Sequence, residues 1–261
     1  MQQAPQHISW YDRPWAALTF FTRLPLWRLY QPPRDSYRAV VEYWPLAGWV
    51  TGSIMGATLY LSSMVLPLAV AVVLAIVVRL LLTGALHEDG LADFIDGFGG
   101  GVDRERILAI MKDSHIGTYG VLALVMYELL LGTTLFSLSP AVAMVAIAAA
   151  DPYAKMLSSQ LVTMMPYART EQTAKARTVY RHPGIAAGIG LTIQGLLPMA
   201  AFLWLAQVAE WYYVIFIPGL AFYFLYLLIW RKLQGYTGDC CGAVCLLVEL
   251  TTLLTITLVC K

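Results

Sequence analysis

Charge is what this chain has least of. Asp, Glu, Lys and Arg make up 13% of its 261 residues, where a soluble domain carries about 25%. Hydrophobic residues make up 59% and the mean hydropathy is +0.66. That balance excludes an ordinary water-soluble globule and indicates a membrane protein that crosses the bilayer several times. The net charge is +1, too small for the basic field that would hold a nucleic acid, so no nucleic-acid partner is expected. Cysteine is also scarce. Cys240, Cys241, Cys245 and Cys260 form no Cys-x-x-Cys pattern and share one apolar stretch. They read as small buried apolar residues rather than metal ligands or disulfides. Met1 to Ser9 is polar and lacks a positive segment followed by an apolar core, so a cleaved signal peptide is not expected. No internal repeat or low-complexity tract appears, and the chain is expected to form a single domain over residues 1–261.

Long apolar runs are what is present. A spanning helix needs about 20 mostly apolar residues. Seven runs qualify, near Tyr43–Leu61, Pro67–Leu86, Gly117–Phe136, Pro140–Leu161, Ile185–Gln207, Trp211–Trp230 and Cys241–Cys260. The expected fold is therefore an all-α, polytopic membrane helical bundle with about seven transmembrane helices. Its connections alternate. Those near Ser62–Leu66, Ser137–Ser139 and Val208–Glu210 are short and hold no Lys or Arg. Met1–Glu42, His87–Ile116, Met165–Gly184 and Arg231–Cys240 carry all the Lys and Arg except Arg79, Lys155 and Lys261. The positive-inside rule then places the N-terminus and these charged segments in the cytoplasm. Within residues 1–42, the stretch Trp15–Trp27 is too short to span and contains Pro25. It is expected as a helix at the lipid headgroups or packed on the bundle.

The densest chemistry lies in residues 87–116. His87-Glu88-Asp89-Gly90-Leu91-Ala92-Asp93-Phe94-Ile95-Asp96-Gly97 sets aspartates at spacings of four and three. On a helix Asp89, Asp93 and Asp96 share one stripe, and Glu88 lies about 100° away. Carboxylates gathered this way repel one another unless a cation intervenes, and Mg²⁺ suits oxygen ligands. The bland alternative is a solvated acidic loop. Gly97, Gly99, Gly100 and Gly101 follow, too many glycines for a stable helix interior. They suit either a backbone cradle for phosphate or a flexible turn. Asp103 is placed to cap a short amphipathic helix with Ile107, Ile110 and Met111 on its apolar side. Arg104, Arg106 and Lys112 are candidate phosphate ligands, with ion pairing to Asp103, Glu105 and Asp113 as the alternative. His87 and His115 are candidates for proton transfer. Near the far end, Asp239 stands where a carboxylate caps a helix, with a second role as ligand or phosphate-loop orienter if the charged segments converge. Arg79 precedes the acidic run by two turns and is placed to help neutralise it.

These blocks resemble the cobalamin synthase family, the adenosylcobinamide-GDP ribazoletransferases. Thr83–Asp93 with Asp96-Gly97 is similar to its acidic signature. Ile110–Ser114 with Ile116-Gly117-Thr118 and Gly120 matches a second block, Phe20–Pro25 the N-terminal one, and Trp44–Gly48 the next. Thr237-Gly238-Asp239, Gly242-Ala243 and Glu249 match the last. The resemblance runs through essentially the whole chain in order. Departures occur where many relatives have Ser-Arg and this chain has Asp151-Pro152-Tyr153, with Lys155 nearby as a replacement charge. They also occur after Tyr167-Ala168-Arg169, and at His115, where an Arg is common.

The resemblance implies a membrane enzyme that joins adenosylcobinamide-GDP to α-ribazole or its 5′-phosphate, with release of GMP. A ribose hydroxyl attacks a phosphoryl group of the pyrophosphate, a reaction that needs charge neutralisation and in-line positioning. It further implies Mg²⁺ on Asp89, Asp93 and Asp96, with Glu88 as a weaker ligand. Asp96 or His87 would accept the proton. Lys112, Arg104, Ser114, Gly99, Gly100 and Asp239 would contact phosphate, and Asp113 would orient Lys112 or join the metal. The expected location is a bacterial inner membrane, in contact with lipid, with the site facing the cytoplasm; a homo-oligomer is left open. Two other classes fit the composition. A CDP-alcohol phosphotransferase would show Asp-Gly-x-x-Ala-Arg followed by spaced aspartates, and this chain has Asp93 and no Arg at that place. A transporter would place its carboxylates mid-bilayer on broken, often repeated helices.

Overall fold

The computed structural model describes residues 8–169, 180 and 182–260. Among them there is no strand, only an isolated bridge between Tyr167 and Tyr236. The helices are α1 (Asp12–Phe21), α2 (Trp44–Ser63), α3 (Leu68–Thr83), α4 (Leu86–Gly100), α5 (Arg104–Ile110), α6 (Thr118–Phe136), α7 (Pro140–Met164), α8 (Ile185–Leu205), α9 (Trp211–Leu233) and α10 (Gly238–Val259). Tight 3-10 stretches at Leu26–Arg28 and Arg34–Tyr43 join α1 to α2. Local chemistry sets several starts. Pro45 and Pro140 occupy first-turn positions of α2 and α7, where a missing N–H costs nothing. Asp103 caps α5 by accepting from the Arg106 amide at 2.8 Å, and Thr237 caps α10 through the Cys240 amide at 3.2 Å.

Five helices, α6 to α10, are long and apolar enough to cross a membrane. With the bent α3–α4 pair taken as one span the count is six, against the expected number of about seven. The run Pro67–Leu86 becomes the 16-residue α3, which turns by 90° into α4, and the two make at most one broken span. Gly84 and Ala85 make the turn, with φ of +66° and +55°. Gly84 tolerates that conformation, and Ala85 takes it at a cost of about 1–2 kcal/mol. The Arg23 amide donates to Leu82 O at 2.6 Å and holds the N-terminal segment against the break. The other run, α2, is long enough at 20 residues but not apolar enough, because its buried face is built of glycine. A Cβ on Gly48, Gly52 or Gly56 would meet the backbone or side chain of α7 at or below about 3 Å. Glycines four apart let two helices touch backbone to backbone.

The same logic orders the bundle. Two-thirds of the apolar windows of α7 and α10 is buried, against 22–28% for α6, α8 and α9. α7 and α10 are thus the central helices, and the others turn apolar surface outward as lipid-facing helices do.

The acidic run is helical as its spacing allowed, in α4, and α5 follows Asp103. Gly97, Gly99 and Gly100 lie within the end of α4, where the glycine run was not expected to be a helix interior, and Gly101 caps it. Tertiary packing overrides the propensity penalty there. Gly97 lies against Met111, Gly99 faces the Tyr119 ring, and Gly101 lies against Ile107. Ile107 and Met111 are fully buried, as the amphipathic pattern of α5 requires.

Candidate active site at the α4–α10 junction

Helix α4 meets the first turn of α10 through a pair of glycines. A Cβ on Gly90 would sit 3.1 Å from Asp239 O, and one on Gly242 3.2 Å from His87 O. No side chain fits between, so the start of the acidic run lies directly beside the N-terminus of α10. Beside this contact is a cavity of about 200 Å³. Phe20, Phe21, Val41, Trp44, Leu86 and Val162 supply its apolar wall. His87, Asp89, Tyr167, Arg169, Tyr180, Thr237 and Asp239 supply its polar groups. Every lining residue comes from one of the four cation-bearing segments or the helical turn adjoining it, so those segments meet at one end of the bundle.

Arg169 is held there by the local fold. The Tyr236 amide donates to Pro166 O at 3.0 Å and the Ala168 amide to Tyr236 O at 2.8 Å. Arg104 donates to Leu233 O and to Ala168 O, each at 2.8 Å, and Arg169 itself donates to Leu108 O at 3.1 Å. Arg104 is therefore a clamp on the corner that carries Arg169, and two of its donors are committed to backbone carbonyls. Burial pushes the phenols of Tyr167 and Tyr180 above their ordinary range. Both stay protonated near neutral pH, so neither phenol is a proton acceptor there.

His87 is buried at 3% exposure. Its ring lies parallel to that of Trp44, with centroids 5.7 Å apart and planes at 9°. Its Nε2 has no hydrogen-bond partner. Asp89 is exposed at the cavity. Asp93, one turn on, is half-buried and does not line it.

The remaining members of the acidic run are employed elsewhere. Asp96 accepts from the Gly117 amide at 2.7 Å and the Gly120 amide at 2.9 Å. It caps α6 from outside, where a carboxylate is favoured by the helix dipole, and a side chain on either glycine would collide with it. Glu88 pairs with Arg79 at 3.4 Å. Arg79 also binds Glu249 at 3.0 Å and the Tyr127 hydroxyl at 2.9 Å. This buried cluster ties α3, α4, α6 and α10 together, and Arg79 does neutralise part of the acidic run. Among the described residues no three His, Cys, Asp or Glu side chains are grouped to hold a metal. The structure does not gather Asp89, Asp93, Asp96 and Glu88 into the Mg²⁺ set that the resemblance implied. Asp96 and Glu88 are turned to other partners.

Several phosphate candidates also lie away from the cavity. Gly99 and Gly100 sit near the end of α4, with their surroundings packed by Tyr119 and Ile110. Lys112, Asp113 and Ser114 are exposed on the turn after α5. Asp113 accepts from the His115 backbone at 3.1 Å and contacts its Nδ1 at 2.7 Å, so it orients His115 rather than Lys112. The replacement charge Lys155 is ion-paired with Asp151, whose other oxygen accepts from the Thr51 hydroxyl at 2.6 Å. Of the expected set, the structure brings together His87, Asp89 and Asp239.

The family model for cobalamin-5-phosphate synthase matches residues 13–257. The chain belongs to this family. A relative from Shewanella baltica, named adenosylcobinamide-GDP ribazoletransferase, is 36% identical over 230 residues, covering 87% of this chain and 86% of that protein. One of the same name from Shewanella oneidensis is 34% identical over 241 residues, 90% of each chain. No solved structure matches. Family membership gives the aromatic lining residues a context. Phe20, Phe21 and Trp44 lie in the blocks that carried the resemblance, but from the residues alone Phe20 and Phe21 read as part of a helix at the lipid headgroups or packed on the bundle, and Trp44 as part of the first span. Arg169 was visible as a charge beside a departure from the family pattern, and its place at the cavity depends on the bridge to Tyr236.

Proposed function

We infer that this chain is the transferase that joins adenosylcobinamide-GDP to ribazole in the final assembly of cobalamin. The match to the family over residues 13–257 carries that inference. The cavity at the α4–α10 junction supports a location for the reaction. An alcohol that attacks a pyrophosphate needs positive charge or amide donors at the phosphoryl oxygens and a group to receive its proton. Arg169 and the N-terminus of α10 supply the first, because a helix start is an anion site. His87 supplies the second.

The ribose hydroxyl of α-ribazole, or of its 5′-phosphate, forms a bond to the phosphorus next to cobinamide. The bond from that phosphorus to the bridging oxygen breaks, and GMP leaves with the oxygen. The hydroxyl proton passes to His87, whose ring plane is fixed by Trp44. Mg²⁺ commonly uses only one or two protein carboxylates and completes its shell with phosphates and water. Asp89 and Asp239, both at the cavity, meet that requirement. The ion would be held there and would neutralise charge on the leaving phosphate. The cytoplasm is the side we propose for the site, supported by the cations of the four segments that line it. The inner membrane of a bacterium is the corresponding location.

Purified protein in detergent tests the inference. GMP is expected only when adenosylcobinamide-GDP, ribazole and Mg²⁺ are all present, and EDTA is expected to stop it. GMP release without ribazole would point to a hydrolase instead.

A further inference from the structure

The cavity is smaller than the molecules it serves. At about 200 Å³ it is below the roughly 300–1,000 Å³ that encloses a whole drug-sized ligand, and a nucleoside diphosphate joined to a corrin is larger still. Only the reacting part enters. The rest of the diphosphate-bearing substrate must cross the rim, so charged side chains beside the rim bear on its binding.

Arg23 is such a side chain. It follows Phe20 and Phe21, both in the cavity wall, and its amide is bonded to Leu82 O at the end of α3. Its side chain lies across Gly84. A Cβ built on Gly84 would come to 3.0 Å from Arg23 Cγ and 3.1 Å from Cδ, and closer still to Nε. Gly84 thus does two things: it takes the positive φ of the α3–α4 break, and it leaves room for this arginine. Two and three residues beyond it, Leu86 and His87 form another part of the same wall. The stem of Arg23 is therefore laid between two segments that line the cavity. Its guanidinium is uncommitted. Arg104 spends two donors on backbone carbonyls, and Arg13 and Arg79 are ion-paired. Arg23 is exposed, and among the described residues its guanidinium has no hydrogen bond or ion pair. A guanidinium offers a planar fork of donors that matches phosphate oxygens. With the stem already placed, less side-chain freedom is lost when the fork closes on an anion.

We propose that Arg23 is a substrate-binding residue that grips the diphosphate of the GDP-bearing substrate beside the cavity. The proposal rests on the transferase function inferred above, and its test separates the two. A lipid headgroup offers the same phosphate chemistry, so the test also separates those sources. Isothermal titration calorimetry of the full chain in detergent, with inorganic pyrophosphate and with GDP as probes and Mg²⁺ present throughout, needs no turnover. Arg23→Gln is expected to weaken both probes about tenfold or more, the scale of one lost charge-assisted contact. Arg23→Lys, which keeps the charge without the fork, should recover part of the loss. Arg28→Gln, at an exposed arginine on the next 3-10 stretch, should bind as wild type does. In the GMP-release assay, Arg23→Gln is expected to raise KM for adenosylcobinamide-GDP by a similar factor and to leave KM for ribazole within about twofold. The same ratio is expected in vesicles of neutral and of anionic phospholipid. Wild-type protein that binds neither probe, or an Arg23→Gln variant that binds both unchanged, overturns the proposal. So does an equal loss in Arg28→Gln, which would mean a general charge effect. A loss confined to anionic vesicles would assign the guanidinium to lipid, and a KM rise confined to ribazole 5′-phosphate would assign it to the acceptor. Probe binding that depends on Arg23 in a protein releasing no GMP would contradict the transferase function and leave the binding residue standing.

Discussion

A carboxylate's work is set by what its two oxygens touch, and the acidic run of α4 divides on that basis. Asp96 has both oxygens on amides of α6, Glu88 faces Arg79, and Asp89 lies open to the cavity. Helical spacing put the three aspartates on one stripe but was silent on what stands opposite each residue. Replacing Asp96 with Ala is expected to destabilise the protein by about 1–3 kcal/mol, because one buried and one half-buried amide lose their acceptor. Thermal unfolding in detergent measures this, and the Mg²⁺ concentration for half-maximal activity is expected to stay unchanged in the folded fraction. A shifted Mg²⁺ requirement would return Asp96 to the metal. The exposed pair of Asp113 and His115 makes a second prediction. Hydrogen bonding to Asp113 raises the His115 pKa above its ordinary 6.5, and the His115 contacts hold Asp113 below 3.8. The stabilisation linked to His115 is present below pH 6.5 and lost as pH rises through its raised value. That linked to Asp113 is present above 3.8 and lost as pH falls through its lowered value. The pair is therefore strongest between, and an NMR titration should give a His115 midpoint above 6.5 that falls in Asp113→Asn. An unchanged midpoint would contradict the pairing.

At the scale of elements, glycine decides where helices meet. The spacing of Gly48, Gly52 and Gly56 on α2 and the facing of Gly90 on Gly242 are packing features, and both depress the apolar signal that identifies spans and helices. That is why α2, read as a span from its sequence, falls short of one in apolar content, and why the glycines at the end of α4 suggested a turn. The motif at α5 was legible because caps act within a few residues: Asp103 and the Ile107–Met111 face behave as local chemistry requires, whereas the cap of α10 is Thr237, two residues before the expected Asp239. The 90° turn at Gly84–Ala85 was not legible, since Ala85 carries no mark of a left-handed conformation. Gly90→Val tests the α4–α10 contact. Its side chain must enter a gap where even a Cβ stands 3.1 Å from Asp239 O. Overpacking of this kind costs about 1–3 kcal/mol. The expected outcome is a lowered thermal midpoint together with a fall in kcat, as Asp89 and Asp239 are driven apart. Retention of wild-type kcat would mean that their closeness is not required.

Across the whole molecule, the four charged segments are remote in sequence and share one end of the bundle. Their common cation content was readable from composition, and it marked the end where the cavity lies. Which of their residues converge was not readable, because Arg169 is placed by a backbone bridge to Tyr236 and a clamp from Arg104, both long-range. α7 and α10 form the rigid centre, and the Arg79 cluster ties α4 and α10 to α3 and α6. The carboxylate at the cavity thus stands on helices rather than on a loop, which suits a site that must position two substrates.

The measurement that bears most directly on this account is the rate of GMP release by Asp89→Asn, compared with wild type in the presence of both substrates and Mg²⁺. The substitution keeps size and shape and removes only the charge, so its thermal midpoint should match wild type. A fall in turnover of about 100-fold or more, the scale of losing one charge-stabilising group in an active site, is the predicted result. Turnover within about threefold of wild type would place the reaction away from the α4–α10 cavity and contradict the account.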